Sequence, residues 1–538
     1  MASFYFRNTI LLAGLALLAQ PGNAQTVTSR RWQHLDLKAD GVPGISADRA
    51  YRELLVGRQP APVLVAIIDS GIDSTHEDLK GTFWKNPGER TGNGLDDDHN
   101  GYADDVRGWS FLGNKDGRNL ASETLEETRL FAEYDPQFAG KKRRQLPADQ
   151  QASFAVYERA KALYLKDKKT EDERYQRLSG IYRANERALQ ELRATLQLTR
   201  LDSAALRQLG FAQGNQTALR LAGFLRKNSF ADAETMMQEL SQAVARAKSR
   251  VEVCLNPAYR GRDIVGDELA NLSQRDYGNS DTQGPDPMHG THVAGIIGGI
   301  RTNQLGAEGI APASVRIMSV RSTPNGDERD KDVANAIRYA VDNGAQIINM
   351  SFGKPFSPNR QVVEEAFRYA EQKGVLLVKA AGNSFLDIDT EPEFPSPRYL
   401  DGQAIPNLIT VGASSCTTDK ELAAKFSNYG KANVDVFAPG VDIYSSTPGN
   451  TYALESGTSM ASPVVAGLAA TLKAYFPQLT AVQLKQIILQ SAVPYHTQVA
   501  RPGSDKLVDF TTLSTTGGIA NLYAAVQLAQ QLTASKQP

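Results

Sequence analysis

Residues 63–69 read Val63-Leu64-Val65-Ala66-Ile67-Ile68-Asp69, six apolar residues running into a carboxylate. A short, branched, unalternating apolar run fits a strand covered on both faces, as in a parallel sheet. Similar runs recur at 315–320, 347–350, 375–378, 408–411 and 434–437, with helical patterns at 332–342, 361–372 and 459–475. Strands alternating with helices predict an α/β fold, a doubly wound, mainly parallel sheet with helices on both faces. Ligands in such sheets bind beyond the carboxyl ends of the strands. Asp69, the Asn349-Met350-Ser351 stretch and the Ala380-Ala381-Gly382-Asn383-Ser384 loop all fall there, so one shared site is predicted.

Three stretches carry chemistry. They are Ile68-Asp69-Ser70-Gly71-Ile72-Asp73, His289-Gly290-Thr291-His292-Val293-Ala294-Gly295 and Gly457-Thr458-Ser459-Met460-Ala461-Ser462-Pro463. A serine hydroxyl is a weak nucleophile that needs a base within hydrogen-bond reach. An imidazole titrates near working pH and can serve as that base. Ser459 is predicted at a helix N-terminus, with Pro463 tolerated in the first turn. There the helix dipole and free amide groups favour a developing oxyanion. A lone serine at a helix start more commonly just caps it. Asp73 lies further into its loop than Asp69.

Together, in this order and with the Asn383 loop between the second and third, these motifs resemble those of the subtilisin-like serine peptidases. The resemblance covers about residues 60–115 and 255–500. It implies a triad of Asp69, His289 and Ser459, with the first histidine of His-Gly-Thr-His as the base and His292 structural. It also implies Asn383 as an oxyanion-hole donor, and Ser351, Phe352 and Gly353 as one wall of the specificity pocket, pairing with an extended peptide. The implied activity is a secreted serine endopeptidase acting on proteins or peptides through an acyl-enzyme. Two rivals are a silent homologue that binds through its insert and an esterase on the same triad. An intact set of four residues opposes the first, and the missing Gly-x-Ser-x-Gly elbow opposes an α/β-hydrolase form of the second.

Residues 93–105 are rich in Asp, Asn and Gly. Asp96, Asp98, Asn100, Gly101 and Asp104 follow the first nine positions of a calcium loop. Arg107 stands where the bidentate Glu of an EF-hand belongs, so a calcium site of another geometry is expected, with Asp96, Asp98, Asn100 and Asp104 as ligands. No cysteine or paired-histidine set suits zinc, and no organic cofactor is expected.

The 538 residues suit two or three domains, or one large α/β domain with an insertion. Hydrophobic content of 41% and charge of 22% are those of an ordinary globular protein. A net charge of −1 opposes a general nucleic-acid binder. Arg7, an apolar run at 10–18 and the small residues Gly22-Asn23-Ala24 read as a signal peptide over 1–24, implying a secreted or periplasmic protein. No later run is long enough to span a membrane. Two cysteines, Cys254 and Cys416, leave room for one bridge at most.

Residues 121–250 are set apart as a helical insertion between Asp69 and His289, splitting a catalytic domain of 61–120 and 251–538 that follows an extension over 25–60. Thr170 and Glu173 form a capping-box pattern at a predicted helix head. Tyr175, Leu178, Tyr182, Asn185, Leu189, Leu192 and Leu196 make a heptad seam, read as packing within the chain in preference to a coiled coil. Further helices are predicted at 219–225 and 233–247. Fewer than forty residues separate the predicted cleavage from the first strand, too few for an inhibitory propeptide domain, and the insert is expected to restrict access, substitute for such a domain, or bind a substrate or partner.

Overall fold

The computed structural model describes residues 30–196 and 201–534. The predicted signal segment, residues 1–24, lies outside the described residues. Two compact units emerge, one of residues 30–121 with 261–534 and one of residues 122–260.

The first unit is built on seven strands: β1 (Val63–Asp69), β2 (Gly108–Ser110), β3 (Val315–Arg321), β4 (Ile347–Met350), β5 (Leu376–Ala380), β6 (Leu408–Ser414) and β7 (Val436–Pro439). They lie in the order β7-β6-β5-β4-β1-β3-β2, all parallel, and two short strands at Gly518–Ile519 and Val493–Pro494 extend the sheet beyond β7. Only the last pairing, Val493–Pro494 on Gly518–Ile519, is antiparallel.

The period of two in β1 divides the core. Val63, Val65 and Ile67 join the core that contains Val293, Val464 and Leu468, whereas Ala66 and Ile68 join the opposite one, with Ile337 and Phe367. Helices Met288–Gly298 and Thr458–Tyr475 therefore cover one face, and Asp330–Asp342 and Arg360–Gln372 the other. Residues 30–60 are integral to the first face: Trp32, Ile45, Ala47 and Leu55 are buried in it. The predicted strands and helices of this unit fall within a few residues of those observed. Ile519 lies in a short strand, and the last helix starts at Leu522.

The second unit contains five helices of ten residues or more among its described residues: Glu126–Phe138, Gln151–Leu196, Ser203–Gln213, Gln216–Lys227 and Ala233–Ser249. The 46-residue helix runs straight through the expected cap at Thr170. Strong helix formers flank Thr170 on both sides, and its hydroxyl donates back to the Lys166 carbonyl at 2.9 Å instead of capping a helix start. The heptad seam packs within the chain. Leu178 meets Ala243 and Ala247, and Leu189 and Leu192 meet Leu221, Leu225, Met236 and Leu240. Asn185 donates to the Ile181 carbonyl of its own helix at 2.8 Å. Cys254 packs here with Leu125, Tyr164 and Leu255. Cys254 and Cys416 form no disulfide.

Candidate active site

β1 delivers Asp69 at its carboxyl end, 1% exposed. His289 is the second residue of helix Met288–Gly298, and its Nδ1 lies 2.7 Å from Asp69 Oδ1. The approach requires two glycines. A side chain at Gly290 would meet the Gly71 carbonyl oxygen at 2.2 Å, and Gly71 itself has φ +120°. Ser70 donates its amide to the same Asp69 oxygen at 2.7 Å, which secures the carboxylate's orientation.

Burial alone would depress the His289 imidazole. Asp69, by charge and hydrogen bond, outweighs that burial, and Glu455 and Asp286 add to it, so the group titrates above its ordinary 6.5. Among the described residues, His292, on the next turn, has no carboxylate partner. Its Nε2 meets the Ala453 carbonyl at 3.2 Å, and burial pushes its pKa down to about 4. Asp73 accepts from the Thr75 amide and hydroxyl and from the Gly449 amide, and so braces a loop.

Beside Asp69, in register on β3, lies Arg321. It is buried, donates to the carbonyls of Ser70, at 2.9 Å, and Leu120, and is pushed down to about 10 by desolvation. The sequence gives no sign of this brace, because a strand arginine reads as a surface residue until its neighbours are known.

Ser459 is the second residue of helix Thr458–Tyr475 and is 1% exposed. Its hydroxyl donates to the Ser351 carbonyl at 3.0 Å, and the Ser351 hydroxyl donates to the Ser459 carbonyl at the same distance. Asn349 Nδ2 donates to Ser351 Oγ at 2.9 Å, and Ser462 donates to Asn349 Oδ1 at 2.7 Å. Pro463 is the sixth helical residue, not part of the first turn as the sequence suggested. It has no N–H to give the carbonyl four residues back, which is that of Ser459, and the Ser351 hydroxyl takes the position.

Asn383 follows β5. Its Oδ1 accepts from the Thr458 amide at 2.8 Å and hydroxyl at 3.0 Å, and Gly382 donates its amide to the Thr458 hydroxyl. With the amide oxygen committed to two donors, the Nδ2 group is turned to the other side. It lies 3.7 Å from where a Cβ on Gly457 would sit. Phe352 is buried and Gly353 half-buried behind Ser351. Asp69, His289, Ser351, Asn383 and Ser459 thus gather at the carboxyl ends of β1, β4 and β5, the place the strand pattern indicated.

The acidic loop divides its predicted ligands. One oxygen each of Asp96, Asp98 and Glu89 lie within 4.8 Å of one another. Calcium bonds oxygen at about 2.3–2.6 Å, so three oxygens on one ion stand up to about 5 Å apart, and the set fits. Asn100 is adjacent, donating its Nδ2 to Asp98 at 3.2 Å and its amide to Asp96 at 3.0 Å. Asp104 is turned elsewhere, accepting the amides of Gly92 and Gly94 at 2.7 Å each. Glu89, an isolated acid seven residues upstream, carries no spacing signal and was missed.

The sequence pattern of the subtilase family, peptidase S8, matches residues 61–518. The chain belongs to the subtilase family. A thermophilic serine proteinase of Bacillus sp. (strain AK1) is 43% identical over 212 residues, 38% of this chain and 48% of the relative. Subtilisin Savinase of Lederbergia lenta is 38% identical over 205 residues, covering 38% and 70%. Thermitase of Thermoactinomyces vulgaris is 41% identical over 185 residues, covering 34% and 60%. This subtilase thus spans about half the length of the first of these relatives. Its sheet, flanked by helices on both faces, is the fold that the alternation of strands and helices predicted.

Proposed function

We propose that this subtilase is a serine endopeptidase in which Ser459 is the nucleophile, His289 the general base and acid, and Asp69 the orienting carboxylate. One observation carries the reading: a buried Asp69 is hydrogen-bonded at 2.7 Å to the imidazole of His289. That contact keeps the proton on Nδ1 and leaves Nε2 as the acceptor for a serine proton.

In the resting geometry the single hydroxyl hydrogen of Ser459 is given to Ser351. Turning about its side-chain torsion, Ser459 gives this proton to His289 Nε2 as Oγ bonds to the substrate carbonyl carbon. The carbonyl oxygen then carries negative charge, which Asn383 Nδ2 and the amide groups at the head of the Ser459 helix stabilise. One preorganised donor there contributes about 3 kcal/mol. His289 returns the proton to the leaving amine, the C–N bond breaks, and water resolves the acyl-enzyme by the same steps. Asp69 holds the imidazole in place throughout and stabilises the imidazolium.

The segment from Ser351 to Gly353 receives the substrate backbone in extended form, which supports proteins and peptides as substrates. The oxygen set of Glu89, Asp96 and Asp98, with Asn100 beside it, suits calcium as a structural ion. The leading residues support export from the cytoplasm. The helical unit supports a role in controlling access of large substrates. Cleavage of an unfolded protein at internal bonds tests the reading. Wild type should give internal fragments and Ser459→Ala none, whereas equal fragmentation by both would overturn it.

A further inference from the structure

Helices Glu126–Phe138 and Gln151–Leu196 form an antiparallel hairpin. Phe131 stacks on Tyr164 with ring centroids 4.4 Å apart, the Tyr157 hydroxyl donates to Asp135 at 2.6 Å, and Phe138 packs edge to face on Phe154. These contacts climb one helix as they descend the other, which places residues 139–150 at the tip. Phe138 and Leu146 are buried with Phe154 and Tyr157, and so pin the tip at both ends. Its backbone is fixed further. Lys141 donates its amide to the Phe138 carbonyl at 3.0 Å and Gln145 to the Lys142 carbonyl at 2.8 Å, while Lys142 donates its amide to Gln145 Oε1 at 2.9 Å.

Lys141, Lys142, Arg143 and Arg144 stand between the two anchors, and all four are exposed. Among the described residues, none of the four side chains has a hydrogen-bond or ion-pair partner. Cations further along the long helix are matched: Lys161 lies 3.3 Å from Asp135, Lys168 2.5 Å from Asp172 and Arg174 3.4 Å from Glu171. Residues 139–150 contain one acid, Asp149, and no aromatic residue. Four adjacent like charges repel one another, and a turn that only joined two helices would have no need of them. The whole chain has a net charge of −1. The tip is therefore a local concentration of positive charge on a nearly neutral molecule, and an anionic surface would attract it in one orientation.

We infer that residues 141–144 form a docking tip for a lipid surface rich in anionic phosphate headgroups. Four cations displayed on an exposed tip match an extended array of phosphates, each adding attraction within a screening length of the surface. The tip has no aromatic side chain on which the bases of a single-stranded nucleic acid could stack. It also exposes no large apolar side chain, since Leu146 is buried. Nothing enters the hydrocarbon, so the contact is peripheral, electrostatic and reversed by salt. The inference goes beyond the peptidase reading and does not depend on it.

The test is sedimentation of the full chain with vesicles of mixed phosphatidylglycerol and phosphatidylcholine, or of phosphatidylcholine alone. Wild type should bind the anionic vesicles at least about tenfold more tightly than the neutral ones at about 0.05 M salt, and lose that preference at about 0.5 M. Combining Lys141→Gln, Lys142→Gln, Arg143→Gln and Arg144→Gln should lower the affinity at least about tenfold. A second variant combines Lys38→Gln, Lys80→Gln, Lys115→Gln and Lys420→Gln, at exposed residues of the other unit. It removes the same charge and should bind within about threefold of wild type. All eight side chains are exposed, so both variants should melt as wild type does. Arg143→Lys with Arg144→Lys, which keeps the charge, should bind as wild type does. No binding by wild type, equal binding to both kinds of vesicle, binding that survives high salt, or equal loss in the two fourfold variants would overturn the inference. So would tip-dependent binding to a short DNA duplex without any binding to vesicles.

Discussion

Ser459 and Ser351 hold each other by two hydrogen bonds of 3.0 Å running in opposite directions, each hydroxyl donating to the other's carbonyl. The clasp joins the head of a helix to the segment after β4. It exists because Pro463 leaves the Ser459 carbonyl without its helical donor. The backbone of the proposed nucleophile is therefore set by the segment that would also hold the substrate, and only the Ser459 hydroxyl must turn for reaction.

Removing one half of the clasp should loosen it. Ser351→Ala leaves the Ser459 carbonyl and Asn349 Nδ2 each short of a partner, at a cost of about 1–3 kcal/mol in stability. Urea unfolding should show a lower midpoint and peptide hydrolysis a lower kcat, with partial recovery in Ser351→Thr, which keeps the hydroxyl. An unchanged midpoint and kcat would show the clasp to be idle.

The Asp69–His289 contact has a pH signature. Asp69 raises the His289 pKa above 6.5, so Asp69→Asn should move the acid limb of the kcat/KM profile to lower pH. It should also reduce kcat by about 10⁴. Stability has the corresponding sign. For a group with a raised folded pKa, the contribution is complete below the unfolded value of about 6.5 and is lost as pH rises through the folded value. The melting-temperature gap between wild type and Asp69→Asn should thus narrow from pH 5.5 to 8.5. A gap that widens over this range contradicts the assignment.

Calcium should stabilise the protein through the Glu89 cluster. Chelation should lower the melting temperature, added calcium should restore it, and Glu89→Gln should weaken the response to calcium without altering zinc or magnesium effects. If Glu89→Gln and Asp98→Asn respond to calcium as wild type does, the ion is held elsewhere or nowhere.

The sheet and most of the site were legible because their signals are local. Strands buried on both faces must be apolar throughout, and the residues after β1 and at the heads of two helices sit in small-residue loops whose spacing is visible in the chain. Other features depend on distant partners. Glu89 reaches Asp96 and Asp98 only through the turns of its loop. Arg321 is a brace only because β3 lies beside β1. Thr170 misled for the opposite reason. Its Thr-x-x-Glu pattern is a genuine local start signal, overridden by the helix formers on either side and by the packing of the long helix on Ala243 and Ala247.

The helical unit has cores of its own, around Leu192 and Leu225 and around Phe138 and Phe154. Replacing residues 123–250 by a short Gly-Ser linker should leave hydrolysis of small peptides within about threefold and change hydrolysis of folded proteins by tenfold or more. Equal effects on both substrates would remove any role of the unit in controlling access.

The chemistry proposed for the site turns on Ser459 being a nucleophile activated by His289 and Asp69. Labelling with a serine-directed phosphonate, read by mass spectrometry of the intact chain and its peptides, tests it most directly. One adduct per chain is expected, on Ser459, formed rapidly in wild type, far more slowly in Asp69→Asn, and not at all in Ser459→Ala. No adduct in wild type, or an adduct that persists in Ser459→Ala, would contradict it.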